Sequence, residues 1–399
     1  MCNVYYLTPK QARRFLLSKH GLLGAKKFSG KTGALDFIKQ AGCIQFDPID
    51  ICGKNTELTL QSRVKGFSKS MLYELLYQDR KLVDYPDKNL SIFAVEDWPY
   101  FARYREAAKE SGKQFAGMET LKAYVKDYIE ENGPVSSDTL PVNGQLYWHS
   151  AIHWSGNWHG QTSAARAVLE QLYSTGELVI HHREGVRKFY DLSFRHINTE
   201  LLSMPDPFPE EEAHIKWRLY RRIGAVGLMW NRPSDAWLNI WGMRAAQRAA
   251  AFQVLLDEGK LLKIEVQGIK ETWFCQSTDL DLLKAACSER RFSKQCVLMA
   301  PLDPLLWDRR LIDSLFGFRY KWEIYTPVEQ RKFGYYTLPV LYGEEFFGRV
   351  EIVRESGTNS LEIRHFWPEK KLTSTFCKAF EQCLRRFAKF NTCENIVWM

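Results

Sequence analysis

The sequence predicts an α+β protein in which tandem winged-helix domains are followed by a β-rich C-terminal domain. Three observations lead to this fold class. A helix–helix–hairpin order occupies the middle of the chain, the pattern returns 83 residues later, and strand-like alternation of side chains begins after Phe292.

The N-terminal region opens with a well-marked helix start. Thr8 can cap the helix, Pro9 suits its first turn, and Gln11 completes a capping box. Apolar spacing predicts further helices near residues 32–41 and 69–79.

The middle of the chain has the element order of a winged helix. A helix is predicted from about Glu119 to Gly133, and a second one over residues 163–174. Two strands, 178–180 and 188–190, then flank a glycine-containing turn.

This pattern recurs at an offset of 83. Residues 172–178 match residues 255–261, and the same offset carries Gly185 onto Gly268 without a gap. Chance is the alternative, because the pattern is simple, but the aligned glycines favour a repeat. A proline-rich linker at 204–209 separates the two copies.

The C-terminal region is predicted to be rich in strands. Side chains alternate over four segments: 320–325, 335–342, 346–353 and 361–366. A helix at about 372–390 and a strand at 394–398 complete the chain.

The charge is unevenly distributed. The 399 residues include 55 Lys+Arg and 47 Asp+Glu, a net charge of +8. Residues 1–113 have a net charge of +7 and residues 290–399 of +5, which leaves −4 for the middle. Two basic ends suit a polyanion such as nucleic acid, although the solvated surface of a mildly basic protein would give the same balance.

Several classes of protein are excluded. Apolar residues make up 45% of the chain, too many for a disordered protein, and no apolar run approaches the ~20 residues of a membrane helix. No secretory signal is visible, and nine scattered cysteines without a C-x-x-C pair predict reduced thiols in the cytoplasm. The sequence contains no P-loop, dinucleotide-binding or nucleophile-elbow motif.

A candidate catalytic pair lies on the extended segment Cys43-Ile44-Gln45-Phe46-Asp47. Side chains two residues apart on a strand share a face, with Cα atoms about 6.6 Å apart, so Gln45 and Asp47 point the same way. A carboxylate can stabilise an oxocarbenium ion or activate water, and an amide can hold that water in line. Asp before Pro is also a common turn former, so a structural role is the alternative.

Two C-terminal clusters could contact a nucleic acid. Residues 303–310 combine two acids, a tryptophan and two arginines, which could line a groove or form a structural corner with internal ion pairs; their spacing favours the corner. Residues 330–336 interleave cations with aromatics, which suits phosphate and base contacts. Tyr335 and Tyr336 face opposite sides of a strand, so at least one is expected in the core.

A histidine- and tryptophan-rich loop at 148–159 is the strongest candidate for metal ligation. No acid or cysteine completes a tightly spaced ligand set there, so packing or a DNA-facing role is favoured and no metal is expected.

These motifs resemble the AlkZ/YcaQ group of winged-helix DNA glycosylases, which unhook interstrand crosslinks. The resemblance runs nearly end to end, and its most specific parts lie at 44–47, 303–309, 325–327 and 331–339.

The resemblance implies a C-shaped arrangement of domains around a basic DNA channel. It implies three winged helices followed by a β-rich domain, at 1–112, 113–204, 205–288 and 289–399. The first winged helix would carry the catalytic motif.

The family's Gln-x-Gln or Gln-x-Asp motif falls on Gln45 and Asp47, which the resemblance makes catalytic. The Gln-x-Asp form is similar to the branch with broader tolerance for N7-alkylated purines and crosslinks. Five basic or aromatic side chains are further candidate DNA contacts: Arg63, Arg309, Arg331, Lys332 and Tyr335. The segment 85–90 departs from the family pattern, because Pro86 and Lys88 stand roughly where a Trp and a His are common.

The expected function is that of a monofunctional DNA glycosylase in base excision repair of alkylation damage. It would act as a monomer on double-stranded DNA with alkylated or crosslinked bases, without a cofactor. The main alternative is a winged-helix transcriptional regulator, which would have no use for Gln45 and Asp47. A phosphodiesterase is less favoured, because no acid cluster for metal binding is evident.

Overall fold

The computed structural model describes residues 4–112, 117–147, 160–288, 291–355 and 357–399, so the loop at 148–159 lies outside the described residues. The chain forms two compact units. The first comprises Met1–Tyr73, Tyr85–Phe93 and Glu210–Met399, and the second comprises Glu74–Asp84 and Ala94–Pro209.

The described helices are, in chain order, α1 (Pro9–Lys19), α2 (Gly30–Ala41), α3 (Asn55–Arg63), α4 (Lys69–Tyr77), α5 (Ala102–Gly112), α6 (Met118–Asn132), α7 (Ala164–Ser174), α8 (Thr199–Ser203), α9 (Glu211–Val226), α10 (Ala245–Asp257), α11 (Leu280–Ala286), α12 (Arg309–Phe316) and α13 (Ser374–Phe390). None of these helices has the length and apolar character needed to cross a membrane.

The described strands are β1 (Val4–Leu7), β2 (Phe28–Ser29), β3 (Cys43–Gln45), β4 (Val64–Lys65), β5 (Leu82–Asp87), β6 (Asn89–Ala94), β7 (Gln145–Tyr147), β8 (Gln161–Ser163), β9 (Leu178–Glu184), β10 (Arg187–Leu192), β11 (Leu261–Val266), β12 (Trp273–Gln276), β13 (Cys296–Leu298), β14 (Thr337–Tyr342), β15 (Glu345–Glu355), β16 (Ser360–Pro368) and β17 (Asn395–Trp398). This mixture of helices and strands confirms the predicted α+β class.

The first unit contains most of the sheet structure. Strand β1 pairs in parallel with β11, which pairs antiparallel with β12, so the N-terminal strand extends a hairpin far along the chain. Strands β13 to β17 form a five-stranded sheet in chain order, antiparallel except for the parallel pair β16–β17. In the second unit, β7 pairs with β8 and β9 pairs with β10.

The local signals of the sequence are confirmed. Helix α1 begins at Pro9, where the Gln11 backbone nitrogen donates to Thr8 Oγ1 over 3.3 Å and the Thr8 nitrogen donates to Gln11 Oε1 over 2.8 Å. The helices predicted near 32–41 and 69–79 are α2 and α4.

The predicted internal repeat is visible in local structure. Helix α7 leads through Gly176 into the β9–β10 hairpin, and α10 leads through Gly259 into the β11–β12 hairpin. Both glycines are left-handed, with φ of 77° and 67°, and the hairpin glycines Gly185 and Gly268 have φ of 61° and 80°. The offset of 83 therefore aligns equivalent turns.

One predicted strand is wrong. Residues 320–325 form no strand within the described part of the chain. The Tyr320 ring stacks on Phe318 at 6.2 Å, and its hydroxyl donates to the Thr337 carbonyl over 2.8 Å. Side-chain contacts rather than strand pairing hold this segment, so the alternation of its side chains did not indicate a strand. Strands β1 and β13 were not predicted, because they are too short to show an alternation of side chains.

The core of the C-terminal sheet extends into the N-terminal region. Buried residues of β13–β16 and α13 cluster with Cys52 and Leu58, and Ile49 and Ile51 pack against the same cluster. The Arg354 backbone nitrogen also donates to the Ile51 carbonyl over 2.9 Å. The chain that follows Asp47 is thus fixed to the sheet.

A buried ion-pair network fixes the start of β3. Asp87 is 2% exposed and accepts from Arg218 at 2.5 Å, Arg222 at 2.7 Å and Arg221 at 3.3 Å, all on α9. Arg221 also donates to the Gly42 carbonyl, immediately before β3. Burial alone would raise the pKa of Asp87, but the three guanidinium groups outweigh it and hold that pKa well below its usual range.

Replacement of Asp87 by asparagine should lower the free energy of unfolding by about 3–5 kcal/mol at pH 7, because it leaves buried guanidinium groups without a counter-charge. The folded pKa lies below the unfolded value of 3.8, so this contribution is present above about pH 4 and is lost as the pH falls further. Chemical denaturation at a series of pH values measures it. Asp36→Asn, at an exposed position of α2, is the matched control, and equal losses in both variants would contradict the network's role.

Candidate active site

Gln45 lies at the end of β3 and is held by its backbone. Strand β3 pairs antiparallel with β6, with Cys43 opposite Phe93 and Gln45 opposite Ser91. The Gln45 carbonyl accepts from the Asn55 side-chain amide over 2.7 Å, and the Gln45 residue is 6% exposed. The position of its side chain is therefore set by the sheet and by α3.

Asn55 connects this segment to the C-terminal region. Its nitrogen donates to Gln45, and its Oδ1 accepts from the Leu302 backbone nitrogen over 2.9 Å. Both ends of one buried amide are used, so Asn55 joins the candidate catalytic segment to the backbone at Leu302.

Asp47 differs from Asp87 and Asp303, the two buried acids of the first unit that bind arginine. It is half-buried, and its Oδ1 accepts from the Ile49 backbone nitrogen over 3.0 Å. Among the described residues, no lysine or arginine lies within ion-pair distance of Asp47, whereas Asp87 and Asp303 both bind arginine. Burial raises the pKa of Asp47, and the Ile49 hydrogen bond opposes that rise.

Two tyrosines of the C-terminal region are close enough to Asp47 to be influenced by its charge. Partial desolvation, followed by the charge of Asp47, raises the pKa of Tyr325. Burial also raises the pKa of Tyr336, and Asp47 contributes to that rise. Tyr336 is 1% exposed and Tyr335 is 37% exposed, so one of the two is in the core, as predicted.

The predicted DNA-contact loop is firmly held next to these tyrosines. The Arg331 guanidinium lies 4.9 Å from the centre of the Tyr335 ring. Buried Glu323 accepts from the Lys332 backbone nitrogen over 2.9 Å, which leaves the Lys332 side chain exposed. Gly334 has φ of 92°, and a Cβ there would lie 2.6 Å from the carboxylate of Glu351.

Arg63 is not available to DNA in this structure. It is 0% exposed and donates to Asp303 and to His20, with Phe37 against its guanidinium at 4.4 Å. A phosphate could reach it only if the core opened, so we do not retain Arg63 as a DNA contact.

The acids of the 303–310 cluster stabilise a structural corner, as their spacing favoured. Asp303 accepts from the Leu305 nitrogen over 3.0 Å, and Asp308 caps α12 and accepts from the Trp230 indole over 2.8 Å. Arg309, in contrast, is exposed, and its guanidinium lies 3.8 Å from Asp235. It is close enough to Lys88 to lower the pKa of that lysine.

Lys88 is a site residue that the sequence reasoning missed. It is 4% exposed, its Nζ donates to Gln45 Oε1 over 3.3 Å, and it lies 5.1 Å from the centre of the Trp307 ring. Burial, reinforced by the charge of Arg222, lowers the pKa of Lys88 to about 8. The one available signal was that segment 85–90 departs from the family pattern.

A group with metal-ligand chemistry lies in the second unit, away from the predicted catalytic residues in sequence. His181, Asp191 and His196 have ligand atoms within 4.8 Å of one another. Asp191 already accepts from His196 over 2.7 Å and from Arg195 over 3.0 Å.

The chain matches the family "DNA glycosylase AlkZ-like" over residues 38–390. Its fold is similar to that of the Streptomyces sahachiroi DNA glycosylase AlkZ, with a TM-score of 0.59 and 15% sequence identity over 99% of this chain and 100% of the other. The family match confirms the resemblance and favours an enzyme over a regulator. The chain belongs to the AlkZ-like DNA glycosylase family, and it is an enzyme that hydrolyses N-glycosyl bonds in DNA.

Proposed function

We propose that this enzyme excises N7-alkylated purines from double-stranded DNA and unhooks interstrand crosslinks formed through them. Asp47 stabilises the oxocarbenium-like sugar and accepts a proton from the attacking water, and Gln45 positions that water. The observation that carries the proposal is the half-buried carboxylate of Asp47, which no cationic side chain of the described residues neutralises.

An unneutralised, partly desolvated carboxylate attracts a cation. Some buried carboxylates of the first unit bind arginine, as Asp87 and Asp303 do, and others, such as Asp308, accept more than one hydrogen bond. At Asp47 the cation must come from outside, and a developing oxocarbenium ion supplies that charge only as the glycosidic bond breaks.

The chemistry of the leaving group favours N7-alkylated purines. An N7-alkyl purine is already cationic, so it leaves as a neutral base without protonation by a general acid. The candidate site offers one carboxylate and one amide as its predicted catalytic groups, which suits such a leaving group better than a neutral base. The Gln-x-Asp form of the motif supports assignment to the branch that tolerates several adducts.

Three cationic side chains and one tyrosine are the proposed DNA contacts: Arg309, Lys332 and Tyr335 are exposed, and Arg331 is half-buried. Arg309, Arg331, Lys332 and Tyr335 all belong to the first unit, as do Gln45 and Asp47. We propose that the cations bind phosphates and that Tyr335 stacks near the lesion. Tandem winged helices in the predicted segments would grip the duplex, and the protein would act as a monomer.

The cysteines are consistent with a reducing cytoplasm. All eight in the described residues are free thiols, and six of them are buried.

Asp47→Asn should reduce excision by about 100-fold or more while leaving DNA binding intact, because asparagine keeps the Ile49 hydrogen bond but not the charge. Single-turnover release of 7-methylguanine, or unhooking of a nitrogen-mustard crosslink, measures this without added metal. Asp50→Asn is the matched control: its carboxylate caps Gly53 and lies 3.4 Å from Arg354. If the wild type releases no alkylated base above spontaneous depurination, the proposal fails.

The excision rate should fall as the pH is lowered, because protonated Asp47 can neither stabilise a cation nor accept a proton. Since burial raises the pKa of Asp47 above its ordinary 3.8, the midpoint of this fall should lie above pH 3.8. Rates between pH 4 and 8, with folding and DNA binding checked at each pH, give the midpoint. A pH-independent rate over that range would argue against Asp47 as the acting carboxylate.

Arg331→Ala and Lys332→Ala should each weaken DNA binding and reduce the slope of log Kd against log salt by about 1. Fluorescence anisotropy with undamaged duplex at several salt concentrations measures the slope. Arg385→Ala is the control, because Arg385 is exposed on α13 and pairs with Glu381 of the same helix. Unchanged slopes in the first two variants would remove them from the proposed DNA surface.

A further inference from the structure

We propose that Lys88 is a positioning residue, which fixes the side-chain amide of Gln45 with its nitrogen edge toward the substrate. This inference rests on the proposed catalytic role of Gln45. It gives a role to segment 85–90, which the sequence comparison marked as a departure from the family.

The orientation follows from the chemistry of the two groups. A primary ammonium group has hydrogen-bond donors and no acceptor, whereas a glutamine amide has one edge of each kind. Lys88 Nζ lies 3.3 Å from Gln45 Oε1, so the oxygen edge of the amide is engaged by the lysine. The Nε2 edge is then directed away from Lys88, where it can donate to a water molecule.

The lysine itself is held on both sides. The preceding residue, Asp87, is bound by three arginines, and the following residue, Asn89, begins β6 with a φ of 57°. Ser91 Oγ donates to the Lys88 carbonyl over 3.0 Å, and the Trp307 ring limits the movement of the ammonium group. A side chain anchored in this way can set the position of another.

In the proposed attack of water on the deoxyribose, Gln45 acts as a hydrogen-bond donor. Gln45 Nε2 donates to one lone pair of the water oxygen, and Asp47 accepts one of its protons. The second lone pair forms the bond to C1′ of the deoxyribose. The glycosidic C–N bond breaks, and its electron pair leaves with the alkylated base and neutralises the positive charge of that base.

The charges around Lys88 come from several elements. Arg222 on α9 and Arg309 on α12 lower its pKa after burial, while Cys43 on β3 and Asp235 oppose them, and the result is about 8. At neutral pH most molecules carry the ammonium form, which can only donate. A neutral amine also accepts, so above about pH 8 the Gln45 amide is free to flip.

A double-mutant cycle tests the proposal. In single turnovers on 7-methylguanine DNA, Lys88→Met should lower the excision rate constant about tenfold with DNA binding unchanged. In a Gln45→Ala background, Lys88→Met should not lower the excision rate constant further, because the side-chain amide through which the lysine acts is already absent. Lys26→Met is the matched control: burial lowers the pKa of Lys26 to about 8 too, but its ammonium donates to the carbonyls of Gln61 and Val64.

The pH profile supplies a readout that a merely structural role would not change. The wild-type rate should decline above about pH 8, and Lys88→Arg, which remains a donor, should restore the neutral rate within about threefold and keep it at higher pH. The Lys26→Met profile should follow that of the wild type. Circular dichroism confirms that each variant is folded.

Two results would overturn the inference. Additive effects of the Lys88 and Gln45 substitutions would show that the lysine does not act through the amide. Borohydride could also trap the wild type covalently on abasic DNA. If it does, and the Lys88→Met variant is not trapped, Lys88 is a nucleophile instead. In both cases the wild type still excises the base. A failure of the proposed function would differ, because the wild type would then release no base.

Discussion

The pairing of Asp87 with three arginines of α9 is the interaction on which the candidate site depends. Three guanidinium groups inside a protein are tolerated only when a counter-charge and hydrogen bonds compensate their desolvation. Asp87 supplies the charge, the Gly42 carbonyl accepts from Arg221, and Arg222 lies 3.3 Å from Cys43 Sγ. The same network therefore holds both the entry to β3, which carries Gln45, and Asp87, which directly precedes Lys88.

Asp87 is paired with arginines, whereas Asp47 has no lysine or arginine partner among the described residues. A half-buried carboxylate with one backbone hydrogen bond costs folding free energy when ionised, and its raised pKa expresses that cost. An arginine nearby would remove this cost, and it would also satisfy the charge that a reacting sugar is proposed to meet. Such a residue is maintained because the surrounding structure, through Asn55 and the C-terminal core, keeps it in place.

The sequence predicted what is decided locally. The capping box at Thr8 and the repeated helix–glycine–hairpin order each depend on neighbours within a few residues. The burial of Arg63 depends on Asp303, and the placement of Lys88 depends on Trp307 and α9, which are distant in the chain. The failure at 320–325 has the same origin, because only the fold decides whether an alternating segment finds a partner strand. Arg63 was therefore misjudged and Lys88 overlooked.

Charge separation within the first unit relates these features to the proposed substrate. Lys88 donates to Gln45 and is influenced by the charges of Arg222 and Arg309, whereas the negative charge of Asp47 influences Tyr325. A nucleotide with a cationic base and an anionic backbone has the complementary distribution. The cationic base and sugar are drawn toward Asp47, and the phosphates are drawn toward the exposed guanidinium and ammonium groups. A neutral purine gains only the second attraction. In the proposed function, this arrangement would discriminate by charge before any contact with the alkyl group.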